Sequence, residues 1–134
     1  MPSPFTWTVR VYYEDTDAGG IVFYANYLKF FERARTEWLR AAGVDQQSLI
    51  EREGAAFVVK NATIDYHAPA RLDDVLTLTL TIEKLGRASV QFAQKAYKGD
   101  LLLVEAGVKV GCVDIATVRP RSLPADVADK MRAA

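Results

Sequence analysis

The chain has 134 residues, half of them hydrophobic and a quarter charged, which suits one soluble domain, residues 1–134, around one core. Seventeen basic residues balance seventeen acidic ones, so broad electrostatic binding to nucleic acid or to an anionic membrane is not expected. No apolar run approaches the roughly 18 residues of a membrane span, and one cysteine, Cys112, with one histidine, His67, can form neither an intrachain disulfide nor a Cys/His zinc cluster; a carboxylate-rich metal site stays open, but no spacing suggests one and no metal is expected.

The opening Met1-Pro-Ser-Pro-Phe-Thr6 has neither the basic nor the apolar region of a signal peptide, and a reducing cytoplasm is the expected location. Phe5 to Tyr13, rich in aromatic and β-branched residues, predicts a first strand, broken by Ala18-Gly19-Gly20. Asn26 is placed to cap a helix over Tyr27 to Ala42. The larger residues of that stretch, Tyr27, Phe30, Phe31, Ala34, Trp38 and Ala41, recur three or four apart, and Gly43 is placed to end it. At about 1.5 Å per residue this helix is roughly 24 Å long, enough for the spine of a small domain. A short second helix is predicted over Asp45 to Arg52, with Asp45 as its cap.

The period then changes. Ala55 to Tyr66 is strand-like, and His67-Ala-Pro-Ala70 interrupts it, because proline cannot donate to a central ladder. From Val75 to Glu83 the chain alternates: Leu76, Leu78, Leu80 and Ile82 face one way, Thr77, Thr79, Thr81 and Glu83 the other, as in a strand with one dry face. Gly86-Arg87 predicts a turn, Ala88 to Tyr97 a strand, Lys98-Gly-Asp100 a hairpin turn, and Leu101 to Val113 a last strand with Gly107 and Gly111 as bulges or close-packing points. Asp126 to Arg132 predicts a short terminal helix. Strand, long helix, then four strands joined by short turns predicts an antiparallel meander whose apolar face the helix covers, an α+β domain.

The chemistry concentrates between Val11 and Tyr27. Glu14, Asp15, Thr16 and Asp17 precede the small-residue turn, and an aromatic segment then opens the helix. Acid, glycine turn and helix start, in that order, put a carboxylate beside free backbone N–H groups, an arrangement suited to attack on a carbonyl and stabilisation of the oxyanion. From the residues alone, Asp17 reads first as a cap of its own turn, as acids before glycines often are. Gly19 and Gly20 allow positive φ or close approach of backbone to a ligand.

With Asp15-Thr-Asp-Ala-Gly-Gly-Ile-Val-Phe-Tyr-Ala-Asn-Tyr27, Phe31-Glu-Arg-Ala-Arg-Thr-Glu37, Asp65-Tyr-His-Ala-Pro-Ala-Arg-Leu-Asp-Asp74, and Val113-Asp114 running on to Arg119-Pro-Arg-Ser-Leu-Pro124, nearly the whole chain resembles a known family. It is similar to the hotdog-fold acyl-CoA thioesterases of the 4-hydroxybenzoyl-CoA thioesterase group, most of all to the branch associated with the bacterial Tol-Pal envelope system. The resemblance implies a sheet wrapped around the long helix, and subunits paired into a dimer with one continuous sheet. It further implies a homo-oligomer, either this dimer or a homotetramer in which dimers pair again, with active sites between subunits. It implies Asp17 as nucleophile or general base and the Tyr24 N–H as the group that polarises the thioester carbonyl. Gly19, Gly20 and Tyr27 would line the acyl-thioester, and Lys84 and Arg87 would meet the phosphates of coenzyme A. Coenzyme A enters as part of the substrate, with no separate cofactor. Members of the Tol-Pal branch commonly carry His where this chain has Tyr24, whereas the 4-hydroxybenzoyl-CoA enzymes carry Tyr. A backbone role survives that exchange, so the difference bears on acyl preference. The rival reading is a non-catalytic module that binds acyl-CoA or an acyl carrier protein.

The other polar residues are read as structural. Asp15 is expected to order the turn and Thr16 to bond locally. Glu32 and Glu37 are expected to pair with Arg33, Arg35 or Arg40 along the helix. His67 is assigned to a strand bulge and Cys112 to a buried strand position. Lys95 joins Lys84 and Arg87 as a basic residue near the third turn, with Arg119 and Arg121 as weaker candidates.

Overall fold

A computed structural model describes residues 4–134; Met1, Pro2 and Ser3 of the opening segment lie outside the described residues. Strand β1 (Phe5–Arg10) leads through a single 3-10 turn (Tyr13–Asp15) to helix α1 (Asn26–Ala41) and helix α2 (Gln46–Glu53). Strands β2 (Ala55–Tyr66), β3 (Val75–Leu85), β4 (Ser89–Lys98) and β5 (Leu101–Asp114) follow, and helix α3 (Ala125–Ala133) ends the chain. All strand pairs are antiparallel, in the order β1-β3-β4-β5-β2. No helix among the described residues is long and apolar enough to cross a membrane.

The alternation of β3 is realised: Leu76, Leu78 and Leu80 are buried, and the same face carries Val90 and Phe92 of β4 and Val104, Val108 and Cys112 of β5. Helix α1 lies on this face. Tyr27, Phe30, Phe31, Ala34, Trp38 and Leu39 are buried, with the Trp38 ring edge-on to Phe92 at 5.5 Å. Leu39 replaces the expected Ala41, which is exposed, because Gly43 (φ 88°) folds the chain back over the end of α1 and the Val44 N–H bonds to the Leu39 carbonyl. One polar side chain penetrates the core. Gln94 is fully buried; its amide donates to the Phe31 carbonyl at 3.0 Å and its oxygen accepts from the Arg35 guanidinium at 3.1 Å.

Three expectations are corrected. The four later strands are not a simple meander: β3, β4 and β5 are, but β2 lies outside β5, with β4 and β5 between it and β3. The segment 67–74 therefore crosses the end of the sheet to reach β3. Strand β1 stops at Arg10, because the Asp15 carboxylate takes the Tyr12 N–H at 2.8 Å and curls Tyr13–Asp15 into the 3-10 turn. Asn26 is no cap. It lies inside α1, and its side-chain amide donates instead to the Asp15 carbonyl at 2.8 Å. Asp45 does cap α2, accepting from the Gln47 N–H. The ladder bulges lie between Val59 and Asn61, between Ile82 and Lys84, and at Leu103, not at the glycines of β5. Gly107 is a close-packing point, where a Cβ would meet Thr63 Oγ1 at 3.2 Å, whereas a Cβ on Gly111 would meet only the flexible side chain of the exposed Lys60.

Gln94 gives a stability test. Gln94→Leu fills the same space but leaves the part-buried Arg35 without its acceptor, at an expected cost of about 1–3 kcal/mol. Urea unfolding monitored by circular dichroism should show a lower midpoint at unchanged slope.

Candidate active site

Antiparallel geometry brings four chain segments to one end of the sheet: the end of β1, the end of β2, the start of β3 and the start of α1. Residues 16–22 form a small hairpin there, with Thr16 bridged to Val22 and the Asp17 N–H bonded to the Ile21 carbonyl at 2.9 Å. Gly20 supplies the turn with φ 78°, a conformation L side chains rarely adopt. Gly19 lets the carboxylate in close: its N–H donates to Asp17 Oδ1 at 2.8 Å, and a Cβ there would stand 3.2 Å from the same oxygen. So the capping role is present, and it engages one carboxylate oxygen. Asp17 Oδ2 has no partner among the described residues, and Asp17, Gly19 and Gly20 are exposed in the single chain.

Val22 leads out of the hairpin to Phe23 and Tyr24, in a turn just before α1. The Phe23 N–H bonds to the Asp15 carbonyl at 3.0 Å, the oxygen that also receives the Asn26 side chain. The Tyr24 N–H finds no acceptor among the described residues, and it lies at the N-terminal, positive end of α1. The Tyr24 ring is 63% exposed and meets Phe23 at 4.9 Å and, edge-on, Tyr66 at 6.1 Å. Asp17 and Tyr24 thus flank one hairpin. Tyr27 stands behind them, buried in the core, its hydroxyl accepting from the Ala70 N–H at 3.2 Å; burial pushes its phenol up from the ordinary value.

The connector after β2 is the other wall. The Val22 N–H donates to the Ala70 carbonyl at 2.9 Å, Ile21 bridges to Arg71, and the Tyr66 hydroxyl donates to the Tyr24 carbonyl at 3.0 Å. The His67 and Ala68 N–H groups both donate to the carbonyl of Leu103, the bulged residue of β5, and His67 Nε2 lies 3.3 Å from Glu105. Asp74 closes the connector, accepting from the Arg71 N–H at 2.8 Å and pairing with Lys98 at 3.0 Å. Burial pushes its carboxyl up, but the Arg71 N–H, the Lys98 hydrogen bond and charge and the Arg71 charge outweigh it and hold the group below its ordinary value. Tyr66, Ala70 and the Asn26 side chain are the parts of this frame to which the sequence reading gave no role at the site. Only the break in strand pattern within the Asp65–Asp74 motif marks the region.

The structure does not bring Lys84 and Arg87 to Asp17 within one chain. They stand at the far end of β3, an 11-residue strand that rises roughly 3.3 Å per residue, so about 30 Å away. Arg87 donates to the Ser122 hydroxyl at 3.1 Å. Lys95 lies in mid-β4, paired with Thr79 and Glu105, not beside the turn. Glu37 pairs with Arg40, Glu32 accepts from Thr36 at 2.7 Å, and Cys112 is fully buried, which pushes its thiol up.

A family model described as the thioesterase superfamily matches residues 19–105. The chain is 48% identical to the acyl-CoA thioesterase YbgC of Haemophilus influenzae over 127 residues, covering 95% of this chain and 93% of that one. Among solved structures it matches a probable thioesterase from Bartonella henselae, 36% identical, with a TM-score of 0.86 over 91% of this chain and 100% of the other. It also matches a 1,4-dihydroxy-2-naphthoyl-CoA thioesterase from Synechocystis, 25% identical, with a TM-score of 0.88 over 97% and 96% of the two chains. The chain belongs to the thioesterase superfamily: it is a thioester hydrolase with the hotdog arrangement of sheet and central helix.

The Asp74 clamp gives a pH test. Its folded pKa lies below the unfolded value of about 3.9, so its contribution to stability is present above that pH and is lost as the pH falls through the depressed value. Wild type is expected to melt higher than Asp74→Asn near neutrality, by the equivalent of about 1 kcal/mol for a weakened hydrogen bond. The two melting curves should converge in acid, as followed by circular dichroism at stepped pH.

Proposed function

We propose that the protein hydrolyses acyl-CoA thioesters with a short-chain or aromatic acyl group, using Asp17 and the Tyr24 N–H. The observation that carries this reading is the free Asp17 Oδ2 on a hairpin that leads directly into an unpartnered N–H, at Tyr24, just before a helix. A thioester carbonyl is electrophilic and a thiolate is a fair leaving group. Oδ2 either attacks the carbonyl carbon, giving a mixed anhydride that water cleaves, or takes a proton from the attacking water. Both routes develop charge on the same carbonyl oxygen, which the Tyr24 N–H would hold. Gly19 and Gly20 leave room for the thioester, and the exposed Phe23 and Tyr24 rings offer a surface to an aromatic acyl group, the chemistry that names the Synechocystis neighbour. Tyr27 backs this wall from the core.

The site is completed by a second copy. Strand β2 is a 12-residue sheet edge, with Val58 and Val59 36% and 53% exposed. Long exposed edges are templates for pairing. A two-fold pairing of β2 edges turns the second chain over. Its Lys84–Arg87 end then comes to the same end of the joined sheet as this chain's Asp17, as phosphate contacts for coenzyme A require. The proposed assembly is this dimer or a homotetramer of two such dimers, and an acyl carrier protein, which presents the same thioester, is a candidate substrate carrier.

Thiol release from short aliphatic, long aliphatic and hydroxybenzoyl-CoA tests the chemistry. Asp17→Asn is expected to lower kcat by about 100-fold or more with substrate binding retained; an unchanged rate overturns the assignment. Coenzyme A binding without turnover of any substrate by wild type would favour the binding-module reading. Val59→Lys should break the edge pairing, giving monomers by light scattering that keep their circular dichroism and lose activity about 10-fold or more.

A further inference from the structure

Tyr24 is held unusually. It lies one residue outside the α1 hydrogen-bond ladder: the Leu28 N–H reaches Ala25 and the Asn26 N–H reaches Phe23, so neither returns to the Tyr24 carbonyl. Among the described residues that carbonyl has one partner, the Tyr66 hydroxyl at 3.0 Å. The Tyr24 N–H has none. Every polar restraint on this residue therefore passes through one phenol.

That phenol is half-exposed, but its backbone and one side of its ring are held by the fold. Tyr66 is the last residue of β2, paired with Val104 of β5. Its ring packs against Tyr24 at 6.1 Å and against the buried Tyr27 at 5.8 Å. The Tyr27 hydroxyl is fixed in turn by the Ala70 N–H. The sheet thus reaches Tyr24 through a half-exposed aromatic side chain, packed on one side against Tyr27, that ends in a directed hydrogen bond. An oxyanion donor works only if it is aimed before the charge forms. The N–H and the carbonyl of one residue are joined through a single Cα, so fixing the carbonyl limits how far the N–H can swing.

We propose that Tyr66 is a positioning residue for the thioester carbonyl: its hydroxyl holds the Tyr24 carbonyl and thereby aims the Tyr24 N–H. This rests on the assignment of that N–H as the oxyanion donor. Tyr66 touches no reacting atom in this role, and it is distinct from Asp17, which acts on the carbonyl carbon.

Tyr66→Phe tests this, because it keeps both ring contacts and removes only the hydroxyl. Melting should stay close to wild type. The expected result is a kcat about 5- to 30-fold lower with KM within about threefold, a fraction of the loss from deleting a donor outright. A merely structural role would not move the second readout. Benzoyl-CoA labelled with carbon-13 at the carbonyl is bound to Asp17→Asn and to the Asp17→Asn, Tyr66→Phe double variant. The carbonyl stretch is then read by difference infrared spectroscopy. In the single variant it should lie below that of free ligand, and in the double variant at least half of that shift should be lost. An equal shift in both, with kcat within about twofold of wild type for Tyr66→Phe, overturns the role of Tyr66 and leaves the Tyr24 donor standing. No shift in Asp17→Asn alone removes the Tyr24 donor, and the role of Tyr66 with it.

Discussion

Ala70 is wholly buried, and both its backbone polar groups are satisfied by the segment that carries the candidate chemistry. Its carbonyl takes the Val22 N–H and its N–H reaches the Tyr27 hydroxyl. A buried peptide without these partners would be costly, by about 1–3 kcal/mol for each unsatisfied group. The connector from β2 to β3 and the hairpin before α1 must therefore fold as a pair. Around Ala70 the remaining ties fall into place: Ile21 against Arg71, Asp74 across Arg71 and Lys98, Tyr66 onto Tyr24. A short exposed hairpin would ordinarily be mobile. Here it is laced to the sheet along one side, and only the Asp17 carboxylate face is left open.

The same topology divides the chain's charged groups between two ends. Because β1, β3, β4, β5 and β2 alternate in direction, the Asp17 hairpin and the Lys84–Arg87 turn lie at opposite ends of β3. No side-chain rearrangement closes a gap of about 30 Å. A long exposed β2 edge, with Val58 and Val59 at the surface, is a liability in a monomer. If two copies pair along this edge as proposed, the inversion brings the carboxylate end of one chain to the Lys84–Arg87 end of the other.

Much of this was legible wherever the signal was local. The Leu/Thr alternation of β3 and the three-and-four spacing of α1 report which face is dry, and burial of one face dictates that pattern. The Asp17-Ala-Gly-Gly20 turn was legible for the same reason, since a carboxylate that bonds two residues on is a local event. The strand order was not. Whether β2 lies beside β3 or beside β5 depends on partners some fifty residues away, and short turns between predicted strands suggest the meander that β3, β4 and β5 alone adopt. Tyr12 and Tyr13 have strand propensity, yet one carboxylate, Asp15, overrides it. Tyr66 and Ala70 carried no local mark, because their contacts to Tyr24 and Tyr27 span more than forty residues.

The most instructive of these differences is Asn26. A side-chain cap satisfies the orphan N–H groups at a helix start and so closes that end to ligands. In this chain the residue best suited to cap α1 turns its amide toward the Asp15 carbonyl, joining the two arms of the hairpin, and no side chain caps the helix. The Tyr24 N–H, two residues before α1, has no partner among the described residues, while the segment around it is cross-linked. Rigidity and an unsatisfied N–H normally oppose each other, since the bonds that order a turn also consume its donors. The Asn26–Asp15 and Tyr66–Tyr24 bonds order it through side chains that bind carbonyls. That leaves the N–H unengaged, as an oxyanion donor must be before substrate arrives.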